Sequence, residues 1–113
     1  MVTYTLQRLQ QNSPTIAFAP SEAAGYVAGR ADEATNYLPD IDLSAFDARE
    51  CGVSRRHCAF VLFRGSLHVV DLGSINGTFV NGMRLAPEVP CAVYSGNHMR
   101  LGTLELLILS QTA

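Results

Sequence analysis

Along the chain, apolar residues recur at every second position in short runs, and no stretch of about a dozen residues keeps a 3.6-residue apolar period. The runs predict strands over Tyr4–Leu9, Thr15–Ala19, Gly25–Ala28, Cys58–Phe63, Leu67–Leu72, Thr78–Val80, Met83–Leu85, His98–Leu101 and Thr103–Leu109. Short strands punctuated by Gly, Pro and Asn imply an all-β sandwich or barrel. Leu104, Leu106 and Ile108 share one face of the last strand and are expected in the core.

The punctuation is as informative as the runs. Asn76-Gly77 and Asn81-Gly82 both predict type I′ reversals, because Asn and Gly tolerate the positive φ such turns require. Arg64-Gly65-Ser66 and Ser95-Gly96-Asn97 predict two further hairpin tips. The segment 30–52 has no strand pattern and only scattered apolar anchors, Leu38, Ile41, Leu43 and Phe46. A connection of that length in a compact domain is expected to be an ordered, functional loop.

Composition sets the class. The 113 residues are 48% hydrophobic and 16% charged, which predicts one soluble globular domain over residues 1–113. No apolar run approaches the roughly 20 residues of a membrane span, and "MVTYTLQRLQ" lacks the basic and apolar regions of a secretory signal, so a cytoplasmic protein with no membrane partner is expected. Cys51, Cys58 and Cys91 are odd in number and form no C-x-x-C pair, so reduced thiols are expected, with neither a metal site nor a cofactor. A net charge of −2 and a pI near 5.8 argue against nucleic acid as a partner.

Against that acidic background three polar islands stand out: Gly29-Arg30, "GVSRRH" at 52–57 and "DLGSINGTFVNG" at 71–82. A β-sandwich gathers alternate loops at one end, so the islands can converge on one surface. Ser54, His57 and Asp71 have the residue types of a hydrolytic triad, but no G-x-S-x-G elbow or oxyanion loop accompanies them, which sets catalysis aside. His68 and His98 fall on separate strands and read as ordinary strand residues. Arg30 and Arg55 supply planar cationic forks and Ser54 a short hydroxyl donor, the set that a phosphate dianion calls for; pairing with Asp32 or Asp71 is the competing use of the two arginines.

The order GR, then S-R-R-H, then G-S-x-N-G-T followed by NG resembles the forkhead-associated (FHA) domain, over about Tyr26 to Leu109. The resemblance implies an antiparallel β-sandwich of about eleven strands, with binding loops at one end and no catalysis. It also implies a role as a phosphothreonine-binding interaction module in serine/threonine-kinase signalling of bacterial type. By the same resemblance, Arg30, Ser54 and Arg55 bind phosphate, and Asn76 binds the peptide backbone. Ser74, Ile75 and Arg56 are peptide-contact candidates, although strand alternation would turn Arg56 away from Arg55. Gly29, His57, Gly77, Thr78, Asn81 and Gly82 are structural. The expected partner is a phosphothreonine protein or peptide met by a monomer. The alternative keeps the fold as a scaffold for an unphosphorylated partner. Selectivity along the peptide is assigned to the loops Ala31–Cys51 and Asn81–Cys91.

Overall fold

A computed structural model describes residues 2–10 and 12–112, which form eleven strands in two sheets. They are β1 (Val2–Arg8), β2 (Thr15–Phe18), β3 (Tyr26–Gly29), β4 (Ile41–Asp42), β5 (Cys58–Phe63), β6 (Ser66–Asp71), β7 (Thr78–Val80), β8 (Met83–Arg84), β9 (Cys91–Ala92), β10 (His98–Leu101) and β11 (Leu104–Thr112). One sheet runs β2-β1-β11-β10-β7-β8 and the other β4-β3-β5-β6-β9. Pairing is antiparallel except for β4, which lies parallel to β3.

Period-2 alternation builds the core as expected. Tyr4 and Leu6 of β1, Phe60 of β5, Leu67 and Val69 of β6, Met99 and Leu101 of β10, and Leu104, Leu106 and Ile108 of β11 all point inward and are buried. Phe18 of β2 meets Phe60 across the sandwich with ring centroids 5.1 Å apart, a contact that joins the two sheets. In the 30–52 segment Ile41, Leu43 and Phe46 are buried anchors, whereas Leu38, expected to be a fourth, is 71% exposed.

Two of the predicted turns are I′ hairpins. Arg64-Gly65 joins β5 to β6 and Asn81-Gly82 joins β7 to β8, each with both residues at positive φ. Asn76-Gly77 differs from the expectation: only Gly77 has positive φ, and the loop carries the chain from β6 in one sheet to β7 in the other. Ser95-Gly96-Asn97 likewise joins β9 to β10 across the sandwich rather than capping a hairpin. A dipeptide propensity reports local φ, and it does not report whether the flanking strands pair.

The alternating inward row of β6 ends in a carboxylate, Asp71, buried where the loops begin. It accepts the hydroxyls of Ser74 at 2.6 Å and Thr78 at 2.7 Å, and the backbone N–H groups of Gly73 at 3.0 Å and Ser74 at 3.2 Å. Desolvation works to raise its pKa, but these four donors outweigh it and hold the carboxyl below its ordinary value. The Ser74 hydroxyl in turn accepts the Gly77 N–H at 3.0 Å, so the 72–77 loop is closed around Asp71.

His57, fully buried, ties three segments together. Its Nδ1 accepts the Ser54 N–H at 3.0 Å and its Nε2 donates to the Gly77 carbonyl at 2.9 Å, while its own N–H reaches Ala28 O and its carbonyl receives the Leu72 N–H. An acceptor on one side and a donor on the other specify the neutral Nε2–H tautomer. Burial lowers the imidazole pKa below its ordinary 6.5, against weaker opposing effects from the Gly77 carbonyl and Asp71. Beneath this brace Gly29 packs flat on the 54–55 backbone: a Cβ there would overlap the Arg55 carbonyl and lie 2.8 Å from the Ser54 oxygen.

Two predictions follow from this scaffold. Because the unfolded imidazole takes up a proton before the folded one, the stabilisation from His57 is complete above about pH 6.5 and declines as pH falls below it. Urea unfolding followed from about pH 8 to 5 should show that decline, with a shallower slope in a His57→Asn variant; equal slopes contradict it. Removing the Asp71 carboxylate strands the buried Thr78 hydroxyl and two loop N–H groups, so Asp71→Ala should cost about 2–4 kcal/mol in denaturant midpoint analysis.

Candidate functional site

The loops after β3, before β5 and between β6 and β7 meet at one end of the sandwich, where they surround an open depression of about 510 Å³. Its lining brings together Arg30, Ser54, Arg55, Arg56 and Ile75 from the sequence expectation, and adds Thr35 and Tyr37. Arg30 follows directly on β3, and its Nε donates to the Val53 carbonyl at 2.9 Å. That bond fixes the side chain by one donor and leaves the terminal nitrogens of the fork for a ligand.

Ser54 is held by its backbone, through the bond to His57, and not by its hydroxyl. Its Oγ accepts the Ile75 N–H at 3.4 Å, a long contact that keeps the hydroxyl proton available to an acceptor oxygen. Neither ring nitrogen of His57 is free to deprotonate that hydroxyl, since both are engaged with backbone. The arrangement therefore provides donors without a general base aimed at them.

Arg55 reaches over the depression with its side chain half exposed and pairs with Asp32 at 3.1 Å. Asp32 also accepts the Ala34 N–H at 3.0 Å, capping the short 3-10 helix Glu33–Thr35. Desolvation opposes ionisation of Asp32, but the Ala34 N–H, the Thr35 hydroxyl and Arg55 together hold its carboxyl below the ordinary range. Of the competing ion pairs considered from sequence, Arg55–Asp32 forms, while Asp71 is taken up by hydroxyls and amides.

The remaining residues divide by what they touch. Arg56 lines the same depression as Arg55, because residues 55–56 form a bend ahead of β5 and strand alternation does not apply there. Ile75 is 83% exposed on the rim. Ser74, expected as a peptide contact, has its hydroxyl committed to Asp71 and Gly77 within the loop. The Asn76 side chain donates to Gly52 O at 2.9 Å, leaving its Oδ1 without a partner among the described residues. Thr78 is buried, and Asn81 and Gly82 turn at the opposite end of β7, where Asn81 Oδ1 accepts the His98 N–H at 3.0 Å.

Sequence reasoning missed Thr35 and Tyr37, which reach the depression only because the 30–52 segment folds back. Asp42 organises that return by accepting the Ala31 N–H, the Ser44 N–H and the Ser44 hydroxyl. The available signal was Asp42-Leu43-Ser44, an Asx-turn sequence.

Comparison with known proteins addresses the family and the fold. The chain is 34% identical over 86 residues to the oxoglutarate dehydrogenase inhibitor of Corynebacterium glutamicum, covering 76% of this chain and 51% of that protein. It is 38% identical over 72 residues to the glycogen accumulation regulator GarA of Mycolicibacterium smegmatis, covering 64% and 42%. The chain thus spans about half the length of these relatives. Among solved structures, the N-terminal FHA domain of Saccharomyces cerevisiae Rad53p in complex with a phosphothreonine peptide shares the fold at a TM-score of 0.75 and 18% identity, over 96% of this chain and 94% of that one. The FhaA FHA domain complexed with the intracellular domain of Rv3910 aligns at 0.69 and 25% identity, over 93% and 98%. Residues 26–102 match the FHA domain family, and with the paired sheets and the apical loop motifs in place, the chain belongs to the forkhead-associated (FHA) domain family.

Proposed function

We propose that the protein is a phosphothreonine-peptide-binding module that acts in serine/threonine-kinase signalling and performs no catalysis. The observation that carries the reading is the convergence of the Arg30 fork, the Ser54 hydroxyl and the Arg55 fork on one open depression with Asn76 beside it. A phosphothreonine has close to two negative charges and three acceptor oxygens, which two guanidinium groups and a hydroxyl can satisfy. Asn76, with a free side-chain carbonyl and an amide fixed to Gly52, is suited to holding the peptide main chain in register. Two relatives are named as an inhibitor and a regulator of other systems, and two fold neighbours were solved with a phosphothreonine peptide and with a partner domain. These support a role in binding proteins rather than in turnover.

The module works as a monomer, with a peptide as its ligand. Its net charge of −2 disfavours nucleic acid, and no helix among the described residues is long and apolar enough to cross a membrane. A preference for threonine over serine rests on contact with the γ-methyl, worth about 1–3 kcal/mol in a good pocket.

Fluorescence anisotropy with a degenerate phosphothreonine library should show micromolar binding, about −8 kcal/mol, absent for the unphosphorylated library. Arg30→Ala should weaken it about 10- to 100-fold and Ser54→Ala about tenfold. Arg55→Ala should cost less than Arg30→Ala, since Arg55 must first leave Asp32. Equal binding of phosphorylated and bare peptides would replace this reading with that of a scaffold for an unmodified partner.

A further inference from the structure

Of the three arginines that line the apical depression, Arg55 alone is paired with an anion among the described residues. Its Nη1 lies 3.1 Å from Asp32 Oδ2. Asp32 itself does not line the depression. It lies in an adjoining groove of about 560 Å³ that shares Arg30, so the pair draws the Arg55 side chain from one hollow toward the other.

The carboxylate is anchored independently of Arg55. Asp32 N–H donates to Tyr37 O at 3.0 Å and Tyr37 N–H to Asp32 O at 2.9 Å, which closes residues 32–37 into a tight loop. Within that loop Oδ1 accepts the Ala34 N–H at 3.0 Å and the Thr35 hydroxyl donates to the carboxylate, while Oδ2 meets Arg55. Desolvation works against ionisation, but these donors and Arg55 outweigh it, and Asp32 remains a carboxylate at neutral pH. The Asp32 side chain is 19% exposed and that of Arg55 50%, so Arg55 is the partner free to move.

A ligand anion therefore gains from Arg55 only what exceeds the bond to Asp32. A peptide carboxylate carries the same single charge as Asp32 and gives Arg55 no reason to leave, whereas a phosphothreonine offers close to two charges and three acceptor oxygens. We infer that Asp32 is a specificity-determining residue, an internal carboxylate that reserves Arg55 for phosphate and withholds it from acidic, unphosphorylated peptides. The inference rests on the phosphopeptide reading above and names how that site turns carboxylates away. Asp32 belongs to the Ala31–Cys51 loop, one of the two expected to set selectivity; none of residues 81–91, from the other, lines the depression.

The test takes the tightest-binding sequence from the degenerate library and makes it with phosphothreonine, glutamate or threonine at the central position, for titration by NMR chemical shifts. Wild-type protein should bind the Glu and Thr peptides equally weakly. Asp32→Asn removes the charge and keeps an oxygen for the Ala34 N–H. It should bind the Glu peptide about threefold more tightly than the Thr peptide, and the phosphothreonine peptide about three- to fivefold more tightly than wild type does. Asp32→Ser, a second uncharged cap, should behave alike and serves should Asp32→Asn unfold. Both gains should shrink when Arg55→Gln is added, so that Arg55→Gln costs more affinity in the Asp32→Asn background than in wild type. A purely structural effect of Asp32 on its loop would persist without Arg55. A wild type that already favours Glu over Thr, uncharged variants that gain affinity for neither anionic peptide, or gains equal with and without Arg55 overturn the inference while phosphate-dependent binding stands. Equal binding of the phosphothreonine and Thr peptides by wild type overturns the phosphopeptide reading itself and the inference with it.

Discussion

The binding end of this sandwich depends on one neutral imidazole. His57 has no exposure to water, yet each ring nitrogen meets a backbone group of the opposite hydrogen-bonding sense, so the ring behaves as a rigid strut of fixed length between the Ser54 amide and the Gly77 carbonyl. Protonation would set an Nδ1–H against the Ser54 N–H and would place an unpaired charge in the core, and both effects keep the ring neutral. The Ser54 backbone, and with it the hydroxyl at the apical depression, is therefore positioned by the fold. Asp71 performs the complementary task on the next loop, gathering hydroxyl and amide donors that would otherwise be stranded under the surface. The two groups are linked through Gly77, whose carbonyl receives His57 Nε2 and whose N–H reaches the Ser74 hydroxyl bound to Asp71.

That arrangement explains which parts of the molecule could be read from sequence. Strands with several alternating positions, such as β6 with Leu67, Val69 and Asp71 inward, carry a period that a one-dimensional reading detects. The two-residue strands β4 and β9 have no period to detect and exist through their neighbours β3 and β6. That Arg30, Ser54 and Arg55 would meet on one surface was legible because their motifs combine residue type with spacing, whereas the roles of Asp71 and Asp42 depend on which amides a loop brings near a carboxylate. Leu38 shows the same limit from the other side. Its apolarity suggested an anchor, but the segment already buries Ile41, Leu43 and Phe46, and Leu38 is left outside.

The distribution of cations sharpens the functional picture. All eight basic residues are arginines, so each offers a planar guanidinium fork. Their environments grade them by readiness. Arg30 and Arg100 each donate to one backbone carbonyl and to no other group among the described residues, and Arg100 is stacked on Phe79 as well. Arg55 is held by Asp32, so under the proposed function its contribution to phosphate binding is a difference between two anions. A phosphothreonine dianion competes well with a single Asp32 charge, whereas a carboxylate on an unmodified peptide would exchange one monoanion for another and gain little. In the proposed reading, the Arg55–Asp32 pair on the rim therefore favours a phosphorylated ligand over an unmodified acidic one.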